Sequence, residues 1–103
     1  MQSAMSILEH VAKQMGKAYK EIETADLHEI EYVCVEGSQI KDLYLLKLMP
    51  RLRVVELVDT QVTDLSPLYY LPQLETLKIQ NTTISELAIT VFQTQQPKCE
   101  VIS

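Results

Sequence analysis

The chain has 103 residues, enough for one domain and too few for a second independent core. Apolar residues make up 47 % and charged residues 22 %, globular proportions that argue against a disordered or fibrous chain. Fourteen acids against nine bases leave a net charge of −5 with no run of Lys or Arg, so a phosphate backbone would be repelled and nucleic acid is not an expected partner.

Gly16 and Gly37, the only glycines, are too far apart to write a glycine-rich phosphate-binding motif, and no apolar run approaches the roughly 20 residues that span a bilayer. Cys34 and Cys99 fit neither a metal-ligand spacing nor a disulfide scaffold and read as reduced thiols. A cytoplasmic chain without cofactor, metal or membrane partner is the expectation.

At the N-terminus, Ser6-x-x-Glu9 has the form of a capping box. Leu8, Val11, Ala12, Met15, Tyr19 and Ile22 recur at helical spacing, with Lys13, Gln14, Lys17 and Lys20 off that stripe. The pattern predicts an amphipathic helix within residues 1–29, serving as a cap over the apolar end of residues 30–103. Its other use would be as a dimerisation or partner helix.

From Ile30 onward the sequence repeats. Ile30-x-x-Val33-x-Val35, Leu52-x-x-Val55-x-Leu57 and Leu74-x-x-Leu77-x-Ile79 start 22 positions apart. Ile40, Val62 and Ile84 continue the register, followed by Leu43, Leu65 and Leu87, while Ser38, Thr60 and Thr82 each stand two residues before that aliphatic position. Pro50, Pro72 and Pro97 set the phase two residues ahead of Leu52, Leu74 and Cys99, making units of 30–51, 52–73 and 74–98 and a partial strand at 99–103. The apolar alternation predicts short parallel strands with Val33, Val35, Val55, Leu57, Leu77 and Ile79 facing the core. Leu65, Leu68 and Leu71 at three-residue spacing predict a 3₁₀ or short α return, with Ser66 as its N-cap and Pro67 at its first helical position.

LRVVELVDTQVTDLSPLYYLPQL resembles the leucine-rich repeat family, in particular the short 22-residue type of internalin-like proteins and the regulatory subunit of type 1 protein phosphatase. The resemblance runs from Ile30 to about Ser103. It implies an α/β fold: a short solenoid of parallel strands with the N-terminal helix as cap, together one domain. It also implies a non-enzymatic protein-interaction module. Ser38, Thr60 and Thr82 replace the family's frequent Asn, so a hydroxyl ladder between coils is expected in its place. Thr90 and Gln93 replace apolar residues of the preceding unit.

Strand alternation places Glu31, Tyr32, Arg53, Val54, Glu56, Val58, Asp59, Glu75, Lys78 and Glu100 on one exposed face, with Cys34, Glu36, Gly37, Thr76, Gln80, Asn81, Val101 and Ser103 beside them. Six acids against Arg53 and Lys78, interleaved with apolar residues, suit a basic or amphipathic protein segment. The same charges could equally compensate one another across strands as Glu31–Arg53–Glu75 and Glu56–Lys78. Tyr44, Tyr69 and Tyr70 fall on the return segments and are expected to be half-buried. Two further readings stand beside a binding face. One is self-association through the N-terminal helix or the terminal strand, with Val91, Phe92, Val101 and Ile102 meeting a second chain at an uncovered edge. The other is a thiol enzyme using Cys34, which would need a lowered thiol pKa.

Overall fold

The computed structural model describes residues 6–103; the part of the N-terminal segment before Ser6 lies outside them. Four parallel strands, β1 (Tyr32–Glu36), β2 (Val54–Val58), β3 (Thr76–Gln80) and β4 (Glu100–Ile102), lie side by side in chain order. Val33 pairs with Val55 and Val55 with Leu77, while Val35 pairs with Leu57 and Leu57 with Ile79, so each residue sits beside its counterpart 22 positions on. Alternation turns all six inward and all six are buried, as the repeat predicts.

Leaving each strand, the chain must turn sharply at one repeat position. Gly37 (φ 126°), Asp59 (φ 56°) and Asn81 (φ 53°) occupy it in successive coils, three residue types that tolerate left-handed backbone. The backbone N–H of Gly37 donates to Val58 (3.1 Å) and that of Asp59 to Gln80 (2.9 Å), which locks each turn to the next coil.

The 3₁₀ segments Tyr44–Leu48 and Ser66–Leu68 then return the chain, burying Leu43, Leu46 and Met49 in the first coil and Leu65, Leu68 and Leu71 in the second. Ser66 is not the cap of its segment. It lies inside the first turn, and its N–H donates to the Asp64 carboxylate at 2.9 Å. Asp42 accepts from Tyr44 N–H at 3.3 Å in the same way. An Asp side chain reaches the N–H two residues on, and as a charged acceptor it outcompetes a hydroxyl.

The expected hydroxyl ladder is also corrected. Thr60 is buried, but its Oγ1 has no hydrogen-bond partner among the described residues, whereas Thr83 Oγ1 donates to Val62 O at 3.1 Å. A Thr side chain is one bond shorter than the Asn it replaces, which leaves the Thr60 hydroxyl short of the neighbouring coil.

In the third unit the return is α3 (Glu86–Gln95), started by Ser85, whose side chain accepts from Ala88 N–H at 3.1 Å. An α-helix rises ~1.5 Å per residue against ~2.0 Å for a 3₁₀ segment, so spanning the same wall takes more residues; this accounts for the longer unit. The inward face becomes Ile89, Phe92 and Gln96. Leu87, expected beside Leu43 and Leu65, is therefore left 73 % exposed, and Phe92 fills the core instead. Gln96 Nε2 donates to the carbonyls of Leu68 and Leu71, both at 2.9 Å, tying the helix end to the coil before it.

α1 (Ile7–Met15) begins at Ser6, whose side chain accepts from Glu9 N–H at 3.2 Å, and ends at Gly16 in left-handed conformation (φ 72°). The helix is shorter than its apolar stripe suggests. Tyr19 lies beyond it in an exposed 3₁₀ turn and Ile22 beyond that, because Gly16 frees the chain to turn. Ile7 and Val11 join the core, as does Leu27 of α2 (Thr24–His28). On the outward edge of β1, Gln14 Nε2 donates to Tyr32 O at 2.6 Å and Glu36 N–H to His10 Nε2 at 3.4 Å. That second bond leaves His10 Nδ1–H to donate to Ser6 O at 2.8 Å.

Leu57, fully buried between Val35 and Ile79, is the centre of this stack. Leu57→Ala is expected to cost about 2–5 kcal/mol in chemical denaturation, as a core truncation that the flanking coils cannot close. Thr60→Val keeps the shape and removes the unpartnered hydroxyl. It is expected to raise stability by about 1 kcal/mol, read as a higher denaturation midpoint at unchanged slope.

Candidate functional site

The outward strand residues form lateral rows set by the same register. At the strand entries Arg53 lies between two acids, its Nε 2.9 Å from Glu75 Oε2 and its Nη1 3.4 Å from Glu31 Oε1. The next row runs Tyr32, Val54, Thr76 and Glu100; the one after it runs Cys34, Glu56, Lys78 and Ile102. Glu36, Val58 and Gln80 follow, and then the turn residues, where Asn81 Nδ2 donates to Asp59 Oδ1 at 2.7 Å.

The last coil departs from the predicted placement by one residue. In the earlier coils two consecutive N–H groups share one carbonyl: Arg53 and Val54 bond Glu31 O, and Glu75 and Thr76 bond Arg53 O. In the last coil Glu100 alone bonds Glu75 O, so Glu100 stands opposite Thr76 rather than Glu75. As a result Val101 turns toward the core and Ile102, 44 % exposed, joins the outward face.

Among the described residues Glu36 and Glu100 make no ion pair. In the pairs on this face Arg53, Lys78, Glu31 and Glu75 are about half exposed and Glu56 is 24 % exposed, Lys78 Nζ standing 3.7 Å from Glu56 Oε1, and each pair contributes at most ~1 kcal/mol. Cross-strand compensation is therefore present, yet it leaves an acidic surplus around Tyr32, Val54, Val58 and Ile102.

Glu56 is the least exposed acid of the ion-paired rows and lies beside both the Tyr32 hydroxyl and the Cys34 thiol. Burial, with Glu56 adding to it, pushes the Tyr32 phenol up to about 12 and holds the Cys34 thiol above the usual range. Cys99 is pushed up to about 11, mainly by burial and further by Glu100. A nucleophilic cysteine needs the opposite shift. No group of three His, Cys, Asp or Glu among the described residues is placed to hold a metal ion.

A groove of about 600 Å³ opens beside the C-terminal half of β3, between Gln80, Ile84, Ile89 and Ile102, and reaches the strand face at Glu56 and Lys78. On the opposite wall, Tyr44 and Tyr70 are 59 % and 83 % exposed rather than half-buried, because the three-residue spacing of the leucines leaves them on the outer side. Tyr69 alone packs inward, its ring centroid 6.4 Å from that of Phe92.

Ile102, Tyr44 and Tyr70 are exposed apolar features that sequence reasoning misplaced, whereas Tyr69 is half-buried as expected. Nothing in the sequence marks the missing bulge before β4. The turn residues did carry a signal: Gly, Asp and Asn recurring every 22 positions.

Parallel strands in chain order, the first two followed by returns that carry leucines beneath their neighbours and the third by a helix that carries Phe92 there, define a repeat protein. Residues 50–90 match the family described as Leucine Rich repeats (2 copies), so this stretch is similar to leucine-rich repeats. A search of curated proteins finds no match. Leucine-rich repeats commonly mediate protein–protein interaction and are generally non-enzymatic. Among the described residues no helix is long and apolar enough to cross a membrane.

The raised thiol pKa values predict slow alkylation. At neutral pH, iodoacetamide is expected to label both cysteines of the folded chain more slowly than those of the urea-unfolded chain. The Cys99 rate should keep rising with pH beyond the range where an ordinary thiol has levelled off, as followed by mass spectrometry.

Proposed function

We propose that this chain is a non-enzymatic protein-interaction module of the short 22-residue leucine-rich repeat type, acting in the cytoplasm. Residues 30–103 form a short solenoid capped by residues 1–29, together one domain. Its ligand is a basic or amphipathic protein segment, bound across the strand face by Glu31, Tyr32, Arg53, Val54, Glu56, Val58, Asp59, Glu75, Lys78 and Glu100.

The carrying observation is the acidic surplus on a face whose centre is apolar. Glu36 and Glu100 lack ion partners among the described residues, Arg53 is shared by two acids, and Tyr32, Val54 and Val58 lie between. A segment presenting Lys or Arg around an apolar side chain would meet complementary charge at the rim and cover apolar surface at the centre. The Tyr32 ring is suited to that centre, being rigid and 42 % exposed. The raised thiol pKa values support the non-enzymatic reading over a nucleophilic Cys34.

Glu56→Lys/Glu75→Lys reverses two acids whose side chains are not part of the core. Titration of a fluorescent Lys-rich amphipathic peptide is expected to show affinity weakened at least ~10-fold and a flatter salt dependence, with the melting temperature nearly unchanged. Equal affinity of the native and variant chains would assign these charges to mutual compensation alone.

A further inference from the structure

The bases outside the strand face are unevenly placed. Lys41, Lys47 and Arg51 stand on the return segment of the first coil, and none makes an ion pair among the described residues. Lys47 Nζ lies 5.5 Å from the centroid of the Tyr44 ring, a cation–π contact that leaves the ammonium at the surface. Tyr44 and Leu48 are 59 % and 47 % exposed, and Tyr70, 22 positions after Leu48 and at the same place in the next coil, is 83 % exposed. The two acids of these return segments, Asp42 and Asp64, are each engaged by a backbone N–H, at 3.3 and 2.9 Å. Three bases against those two acids give this wall a charge of +1. Six acids against two bases give the strand face −4.

We propose that this return face docks onto the strand face of a second copy of the chain. The proposal rests on the reading of the strand face as a site for basic, amphipathic segments, and names the segment as the chain's own Lys41–Arg51. The two surfaces match in charge, and both set apolar side chains among their charges: Tyr44, Leu48 and Tyr70 on one, Tyr32, Val54 and Val58 on the other.

They also match in size. Tyr44 to Leu48 spans ~8 Å along a 3₁₀ segment, which fits within the ~14 Å across four strands. Because the two surfaces differ and lie on opposite walls, the contact is head-to-tail. Each copy can offer its return face to one neighbour and its strand face to another.

Sedimentation velocity of the full chain over a concentration series, in about 20 mM and about 500 mM salt, tests this. The average mass should rise with concentration in low salt and rise less in high salt. Two variants separate the surfaces: Tyr44→Ser/Tyr70→Ser and Glu56→Lys/Glu75→Lys. Each alone should associate at least ~10-fold more weakly while melting as a folded chain. Mixed in equal amounts they should form heterodimers and nothing larger, since only one intact return face and one intact strand face remain per pair.

A native chain that stays monomeric throughout overturns the proposal; if it still binds the Lys-rich peptide, the reading of the strand face survives. Undiminished self-association of either variant also overturns the proposal, because it places the contact elsewhere.

Discussion

No single coil of this chain can bury its own apolar residues. Val33, Val55 and Leu77 form one lateral line through the sheet and Val35, Leu57 and Ile79 another, and each line is dry only because the next coil continues it. Hydrophobic burial therefore acts between counterparts 22 residues apart, and the parallel ladder is what holds them opposite one another. A one-residue slip in such a ladder would send every inward side chain outward. The turn residues reduce that freedom: Gly37, Asp59 and Asn81 all leave the strand at the same register position, and the first two donate their N–H to the following coil.

The two sides of the described sheet are built by different physical means. On the β1 side, α1 supplies both apolar cover, through Ile7 and Val11, and polar partners for edge groups of the strand, through Gln14 and His10 one helical turn apart. Exposed strand edges invite pairing with other chains, and these side chains occupy two of the outward groups. On the β4 side the sheet is only three residue pairs deep, and α3 contributes Phe92 beneath the last full coil while Gln96 satisfies two carbonyls of the coil before it. Phe92 is thus a core residue rather than part of an open edge. Leu87, Val91 and Ile102 are exposed apolar groups on that side.

This division between repeated lines and singular ends governs how much was legible in the sequence. The inward lines were readable because β-branched and Leu residues at fixed period leave a narrow set of structures, and the outward strand residues come from the same alternation. Features that depend on a single residue's local geometry were not. Gly16 ends α1 although the apolar stripe continues past it, since one left-handed residue costs glycine little and redirects everything after it. The one-residue difference in how β4 enters the sheet moves Val101 inward and Ile102 outward, a decision made by backbone hydrogen bonds to Glu75 O that no side-chain pattern records. Replacing a 3₁₀ return by an α-helix exposes Leu87 for a similar reason: the period of the segment changed while its leucine stayed in place.

The strand face owes its character to the weakness of its own contacts. A buried ion pair would fix its partners, because breaking it leaves an uncompensated charge in a poor solvent. Arg53, Glu31, Glu75, Glu56 and Lys78 are instead solvated enough that their pairing is nearly balanced against hydration, so exchanging an internal partner for an external one costs little. The register nevertheless holds these side chains in rows about one strand spacing apart, so their positions are organised before anything binds even though their energies are not committed. A face of this kind discriminates by the pattern of charge around Tyr32, Val54 and Val58 more than by the strength of any one pair. On the proposed function, the specificity of the chain lies in these outward residues, which the core leaves free to vary.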